Sequence, residues 1–483
     1  MAFEDMEIEE FRRQAHAFAD WMADYLAGIE DYPVRAQVAP GEIAAGLPTA
    51  PPAHGEPIEA IFEDFRALVL PGMTHWQHPG FFAYFPANAS PPSVLAEMLT
   101  ATLAAQCMLW QTSPAATEME ARVLDWLRGL LGLPAGLQGV IQPSASDAAL
   151  AALLVARERA SGWRGNEAGL AELGAGGLRL AVYVSEEAHS SIEKGAKIAG
   201  YGRAAVRKIA CDDAFAMAPE ALAAAVAADR AAGITPACVV ATLGTTGTGG
   251  IDPLKPIGAL CRREGIYLHV DAAWAGAALV LPEQRWMIEG IEAADSIATN
   301  PHKWLLTNFD CTAHWVRDAE ALTRTFAINP AYLTSAETGD VVDYRDWGVP
   351  LGRRFRALKL WFVLRYYGAE GLRAMIADHI AWTAELAAEV EAHPDFEITS
   401  PPALALFSFR YRPRGLDDAA KLDALNEALL TRLNDSGRLY LTQNRVRGRY
   451  AIRFSVGART TTRHHVMAAW QAIRETAAAL PEA

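Results

Sequence analysis

Apolar residues at Phe11, Ala15, Phe18, Met22, Tyr25 and Ile29 recur every three or four positions, the period of one face of an α-helix. The early helix that they predict also carries Trp21, and this much apolar surface needs a cover. The cover is either the rest of the chain or a second subunit, and we favour a second subunit. Residues 32–57 are rich in Pro, Gly and Ala, which predicts an extended connector.

From about Ala115 the pattern changes to short apolar runs that alternate with alanine-rich segments of helical period. The runs at 139–142, 178–184, 204–209, 237–243, 266–270, 296–299 and 312–316 predict strands. Helices are expected at 146–159, 192–199, 219–232, 253–263 and in the stretch before Asp295. Such alternation gives parallel strands joined by helical crossovers, and ligands then gather outside the carboxyl ends of the strands. Beyond Leu358 the mix changes again, to a long helix over 358–393, a strand at 405–410, a helix at 417–434, a strand at 450–454 and a closing helix at 464–480. The expected architecture is therefore α/β in three parts. An N-terminal helical arm and connector spans 1–85, a large domain with a mainly parallel sheet spans 86–357, and a smaller α+β domain spans 358–483.

Composition narrows the class. At 483 residues, 51% of them hydrophobic, the chain exceeds one simple core. No apolar run reaches the roughly 18 residues that a membrane span needs, and the acidic first ten residues suit neither a secretory signal nor a transit peptide. A formal charge of −14 argues against nucleic-acid binding, which needs a basic face. The five cysteines are far apart and form no CxxC, so neither a disulfide frame nor a metal cluster is expected. A cytoplasmic protein with no nucleic-acid, membrane or metal partner is the reading.

Chemically capable residues fall just past the predicted strands. Gln142-Pro143-Ser144-Ala145-Ser146-Asp147 opens an alanine-rich helix, either as an ordinary cap or with free N–H groups for a phosphate. His189 follows the next strand, as a cap or surface residue or as a flat ring to stack on a cofactor. The turn Gly244-Thr245-Thr246-Gly247 lacks the ending of a P-loop, and reads as a flexible turn presenting a threonine hydroxyl. Asp271 ends a buried strand, where an ionised carboxylate is costly without a partner; a cationic ring nitrogen, a helix cap or an arginine would serve. Ala272 and Ala273 beside it leave room for a flat ring.

Lys303 lies in Asn300-Pro301-His302-Lys303-Trp304, between two apolar segments. Its ammonium either reaches the surface past apolar neighbours or is shielded, loses its proton and forms a Schiff base with a carbonyl. A Schiff-base lysine, an aspartate for a pyridinium nitrogen and a helix N-terminus for a phosphate are together what pyridoxal 5'-phosphate requires.

With these in place, the chain resembles the pyridoxal-phosphate-dependent group II decarboxylases, specifically the aromatic L-amino acid decarboxylases. The resemblance runs nearly end to end. It is carried by His78-Pro79-Gly80-Phe81-Phe82-Ala83-Tyr84-Phe85-Pro86, Ser113-Pro114-Ala115-Ala116-Thr117-Glu118, Ala188-His189-Ser190-Ser191, Leu243-Gly244-Thr245-Thr246, His269-Val270-Asp271-Ala272-Ala273, the Lys303 segment, Asn308-Phe309-Asp310-Cys311 and Leu351-Gly352-Arg353-Arg354-Phe355-Arg356. It implies the type I fold of pyridoxal-phosphate enzymes and a homodimer with an exchanged N-terminal arm. It also implies roles: Lys303 holds the cofactor, Asp271 keeps its ring nitrogen protonated, and His189 stacks on the ring. Ala145, Ser146, Asn300 and His302 surround the phosphate, while Thr246 and Ala273 line the site. Tyr332, flanked by Pro330 and Gly339, becomes the proton donor on a mobile loop. Pro143 departs from the glycine usual in the family, and it has no N–H to offer a phosphate.

The expected substrate pocket is aromatic and apolar, formed by Trp76, Tyr84, Phe85, Pro86, Trp110 and Phe309 with Gly352, and no arginine stands out in it to pair with a side-chain carboxylate. In plant members of the family a glycine at the Gly352 position goes with indolic substrates. Ala87 stands where catechol-using animal members carry a threonine hydroxyl, and a missing hydroxyl removes a partner for a ring OH. Both lean to tryptophan or 5-hydroxytryptophan over DOPA, tyrosine or phenylalanine. The alternatives are an oxygen-using aldehyde synthase of the same family and a non-catalytic scaffold.

Overall fold

The computed structural model describes residues 5–328 and 341–480. Seven strands form the large sheet: β1 (Gln138–Gln142), β2 (Leu180–Ser185), β3 (Val206–Ile209), β4 (Thr235–Thr242), β5 (Tyr267–Asp271), β6 (Ser296–Thr299) and β7 (Thr312–Val316). Their order is β1-β7-β6-β5-β4-β2-β3. Pairing is parallel from β6 across to β3, and β7 runs antiparallel to both β6 and β1. The carboxyl ends of β1, β2, β4, β5 and β6 therefore share one edge, together with the first residue of β7, Thr312.

Helix Ala145–Ala160 lies across the middle of this sheet. Its inward positions are mostly small (Ala148, Ala149, Ala151, Ala152 and Ala156), which lets the helix backbone approach the strands closely. Ser144 caps it, the hydroxyl accepting from Asp147 N at 3.2 Å.

A second, antiparallel sheet is made of β8 (Phe396–Ala403), β9 (Leu406–Tyr411), β10 (Thr442–Val446) and β11 (Arg449–Ser455), in the order β10-β11-β9-β8. Helices Ala419–Asp435 and Arg463–Ala478 pack with it. We propose 1–85, 86–357 and 358–483 as the parts of the fold.

Several elements differ from expectation. Strands β8 and β10 went unread because both are edge strands. β8 ends in Ser-Pro-Pro-Ala, tolerable only where the ladder is open on one side, and β10 is polar up to its last residue, Val446. The stretch before Asp295 is not a regular helix but three 3-10 turns, Ala275–Val280, Pro282–Ile288 and Ile291–Ala293, punctuated by Pro282 and Gly290. The long helix Arg356–Ala392 is interrupted at Gly368, where φ is +64°. Helices Pro91–Leu103, Pro114–Leu130, Gly165–Ala175 and Ala319–Phe326 were also not anticipated.

Helix Ile8–Ala27 forms as expected. It packs Phe18 and Trp21 against Phe62, with ring centroids 4.6 and 5.6 Å apart. The described residues of its own chain cover it only in part. Phe11 stays 54% exposed, and an apolar groove of about 700 Å³ runs between this helix and Ile61, Phe65 and Met98.

Candidate active site

The strand-end residues converge. Asp271 is the last residue of β5 and only 6% exposed; its Oδ1 accepts from Ala273 N at 3.1 Å, which leaves the second oxygen for another partner. The Ala273 carbonyl accepts from Asn300 N at 2.9 Å, tying the end of β5 to the end of β6. Asn300 Oδ1 in turn accepts from Thr312 Oγ1 at 2.8 Å, at the start of β7.

Lys303 sits one short turn later, in Pro301–Trp304, with its carbonyl accepting from Asn88 Nδ2 at 2.7 Å. The side chain keeps some accessible surface, but burial of its ammonium lowers the pKa; Asp271 opposes that shift and the Arg453 guanidinium adds to it. A lysine so placed gives up its proton more readily than a free one. His302 is buried beside it. Its Nδ1 accepts from Cys311 N at 3.0 Å, and burial pulls its pKa down to about 3, so the ring is neutral with its proton on Nε2.

His189 caps helix Ser190–Ile198, Nδ1 accepting from Ser191 N at 3.2 Å. The ring is open to water by area, yet loss of hydration lowers its pKa, Asp271 opposing and Lys303 adding. A neutral, flat imidazole thus stands within electrostatic reach of both. Thr246 is exposed on the turn after β4. Gly244 at the root of that turn has φ +78°, and a Cβ there would lie 2.6 Å from Ala275 Cβ. At the end of β1, the amides of Asp147 and Ala148 are taken by Ser144, while those of Ala145 and Ser146 open the helix without an intrahelical acceptor. Tyr332 lies outside the described residues.

The pocket residues are placed less uniformly. Phe309 is 64% exposed and stands edge-on to His302, with ring centroids 4.8 Å apart. Trp76 and Tyr84 stack at 5.7 Å, and Tyr84 OH meets Tyr440 OH at 3.3 Å. Phe85 is buried against Trp274 and Trp304, at 4.8 and 5.2 Å, and Pro86 is buried too. Phe85 is thus a core ring supporting the Asp271 and Lys303 segments rather than an open wall. Trp110 donates from Nε1 to Glu118, and its amide to Asp343. Gly352 lines a cavity of about 130 Å³ with Gln142, Pro143, Arg353 and Arg356. The walls of that cavity include neither Phe309 nor Lys303.

Three residues were not anticipated. Arg453, on β11, donates from Nε to the Thr246 carbonyl at 2.7 Å and from Nη1 to the Tyr84 carbonyl. Its Nη2 is buried with no hydrogen-bond partner among the described residues, and burial lowers its pKa to about 9. Asn444, on β10, donates to the Gly247 carbonyl at 2.8 Å. Asn88 bridges the carbonyls of Lys303 and Gly457. The available signal for Arg453 was a lone cation inside the apolar run Ala451-Ile452-Arg453-Phe454, a costly placement without partners.

An amine of lowered pKa, a carboxylate with a spare oxygen, a neutral imidazole, free helix-start amides and a buried guanidinium form a donor set that fits a flat, phosphorylated heteroaromatic aldehyde. Comparison with known proteins agrees. Residues 40–412 match the model of the pyridoxal-dependent decarboxylase conserved domain. The chain is 42% identical to the phenylacetaldehyde synthase of Arabidopsis thaliana, over 98% of this chain and 97% of that one. It is also 42% identical to the aromatic-L-amino-acid decarboxylase of Rattus norvegicus, over 98% and 99%. The crystal structure of Oryza sativa TDC with PLP and tryptamine superposes with a TM-score of 0.94 at 36% identity, covering 99% of both chains.

Proposed function

The chain belongs to the pyridoxal-dependent decarboxylases, and from that premise we propose that it removes CO2 from an aromatic L-amino acid, tryptophan or 5-hydroxytryptophan ahead of DOPA, tyrosine and phenylalanine, to release the arylalkylamine. It is a pyridoxal-phosphate carboxy-lyase of the aromatic amino acid group. The observation that carries the reading is Lys303 with its pKa lowered, within electrostatic reach of Asp271 and Arg453, and next in sequence to His302, whose ring meets the exposed ring of Phe309.

When bound, the cofactor supplies an electron-withdrawing ring that takes up the electron pair left by departing CO2. Lys303 is the amine that holds it. The second oxygen of Asp271 would keep the ring nitrogen protonated, His189 would hold the ring by stacking, and Ala145, Ser146, Asn300 and His302 would hold the phosphate. Thr246 and Ala273 would complete the cofactor site. Arg453 supplies a fixed positive charge toward which a substrate carboxylate is drawn, and an oriented carboxylate is what selective C–C cleavage needs. Phe309, Trp76 and Tyr84 offer apolar surface to the aromatic side chain, and Gly352 and Trp110 would extend that pocket. Tyr332 returns the proton to the α-carbon.

The uncovered apolar face of helix Ile8–Ala27 supports a homodimer. No helix among the described residues is long and apolar enough to cross a membrane, and all five cysteines are unpaired, which suits a reducing cytoplasm.

The second reading, an oxygen-dependent aldehyde synthase, is favoured by the similarity to the Arabidopsis synthase. One experiment separates them. Purified holoenzyme is incubated with tryptophan, 5-hydroxytryptophan, DOPA, tyrosine and phenylalanine while CO2, amine, aldehyde and peroxide are followed. Amine with CO2 supports decarboxylation, aldehyde with peroxide supports the second reading, and no CO2 from any of them refutes both. Tyr332→Phe is expected to divert product from amine toward aldehyde; unchanged amine output would remove Tyr332 from its role.

A further inference from the structure

Between Lys303 and β7 the chain makes a tight excursion, held from two sides. On one side, the start of helix Pro91–Leu103 grips its backbone. Ser90 N and Oγ both donate to the Leu306 carbonyl, at 3.2 and 2.9 Å. Asn308 N donates to Ser93 Oγ at 2.8 Å, and that hydroxyl donates to Asn308 Oδ1 at 2.5 Å. On the other side, Arg356 at the start of the long helix takes both oxygens of Asp310 in a two-pronged pair, Nε to Oδ1 and Nη2 to Oδ2, each at 3.0 Å. Arg356 is buried, and only 16% of the Asp310 side chain is accessible.

Further charges close around this pair. Arg354 Nη1 is 3.9 Å from Asp310 and its Nη2 pairs with Glu97; Lys359, fully buried, places Nζ 3.0 Å from Glu97 Oε2. A fork of this kind fixes angle as well as distance, whereas buried ion pairs add little net stability over apolar packing. What the cluster contributes is geometry.

The geometry converges on Phe309. Its two neighbours, Asn308 and Asp310, have anchored side chains, while its own ring is 64% exposed and touches His302. The ring's place is thus set by backbone held on both flanks rather than by packing around it. We propose that Asp310 and Arg356 are positioning residues for substrate selectivity: their pair holds Phe309 as a rigid wall that reads the size of the incoming aromatic side chain. This rests on the aromatic amino acid reading above and adds to it the device that sets discrimination.

The test uses holoenzyme with tryptophan, tyrosine and phenylalanine. Arg356→Lys keeps the charge and loses the fork. Rigid apolar pockets separate such side chains by tens to hundreds of fold, so the ratio of kcat/KM between best and poorest substrate is expected to fall about fivefold or more. The change should come through KM, with the cofactor's visible absorbance unaltered. In a Phe309→Ala background the same substitution should move that ratio less than about twofold, because its effect passes through the missing ring. Ser93→Ala, a milder release of the other flank, should shift the ratio in the same direction, and it decides the matter should Arg356→Lys not fold. An equal loss for all three substrates, an unchanged ratio, or a ratio change undiminished without Phe309 overturns the proposal. A wild type that acts only on non-aromatic amino acids overturns the functional reading and this inference together; an active wild type with indifferent variants overturns this inference alone.

Discussion

Asp271→Asn isolates charge from shape. The carboxylate is buried at the end of β5 and spends one oxygen on the Ala273 amide at 3.1 Å. Asparagine keeps that acceptor and nearly the same volume, so the strand end should hold, with Tm moving by only a few degrees. What disappears is the negative charge. A neutral amide does not keep a ring nitrogen protonated, and the loss of one preorganised electrostatic partner in a buried site is worth about 3 kcal/mol, or roughly 10²–10³ in kcat. The same carboxylate opposes the lowering of the pKa of both Lys303 and His189, so its removal should lower both further and move the acid limb of the rate profile to lower pH. The assay is CO2 release against pH, with bound cofactor quantified by its absorbance. A variant that binds pyridoxal phosphate fully and keeps kcat within tenfold of wild type would refute the assignment.

Lys359 should make stability pH-dependent. Burial lowers its pKa to about 8, with Cys311 and Asp310 opposing and Arg354 and Arg356 adding, and Glu97 is its ion-pair partner. The folded state binds its proton less tightly than the unfolded state, so a penalty present below about pH 8 is relieved as pH rises toward 10; its scale is about 3 kcal/mol. Lys359→Met, followed by thermal denaturation, should therefore gain most over wild type near neutrality and lose that advantage above pH 9; a pH-independent difference would contradict it. Gly352→Ser would place its Cβ 3.1 Å from Gln106 Nε2, and the added hydroxyl should raise kcat/KM for tyrosine or DOPA relative to tryptophan; an unchanged ratio would remove Gly352 from the pocket. Phe11→Glu with Ile61→Glu should weaken the dimer at least about tenfold by sedimentation, since two exposed apolar side chains of the groove become charged; a wild type that sediments as a monomer at micromolar concentration would refute the swapped arm.

The parts of the site that the sequence made legible share a physical signature. Asp271, Lys303, His189 and the Ser144–Ser146 cap each follow an apolar run, because a buried strand announces both itself and its end. Residues whose roles depend on distant partners left fainter traces. Arg453 is a cation within the apolar run of a strand that looks like any other, and its importance lies in the carbonyls of Thr246 and Tyr84, 207 and 369 residues away. Phe85 sits among aromatic residues and reads as pocket wall, yet local pattern cannot separate a ring that faces a ligand from one wedged between Trp274 and Trp304. The edge strands β8 and β10 escaped because one-sided pairing releases them from the apolar alternation by which inner strands are recognised.

The charges also explain how an acidic chain holds an anionic cofactor. A net charge of −14 would repel a phosphate if it acted uniformly, but exposed charges are screened within about 10 Å in salt, and the field that matters is local. Among the described residues, the charged groups that act on Lys303 are the Arg453 guanidinium and the Asp271 carboxylate, while helix Ala145–Ala160 opens with free amides at the same sheet edge. Glu187, which accepts from Thr248 Oγ1 at 3.3 Å near the same turn, has its pKa raised by burial and so adds less negative charge than its formula suggests. With the Lys303 amine giving up its proton, Arg453 and Asp271 offset each other, so a phosphate and a substrate carboxylate meet a near-neutral surrounding rather than the charge of the whole chain. Arg453 and Asn444 come from the small sheet and hold Thr246 and Gly247 on the turn after β4, so the placement of the guanidinium depends on the two sheets being docked. Selectivity for an anionic, flat ligand is in this sense a property of the contact between the two sheets, and not of the Lys303 segment alone.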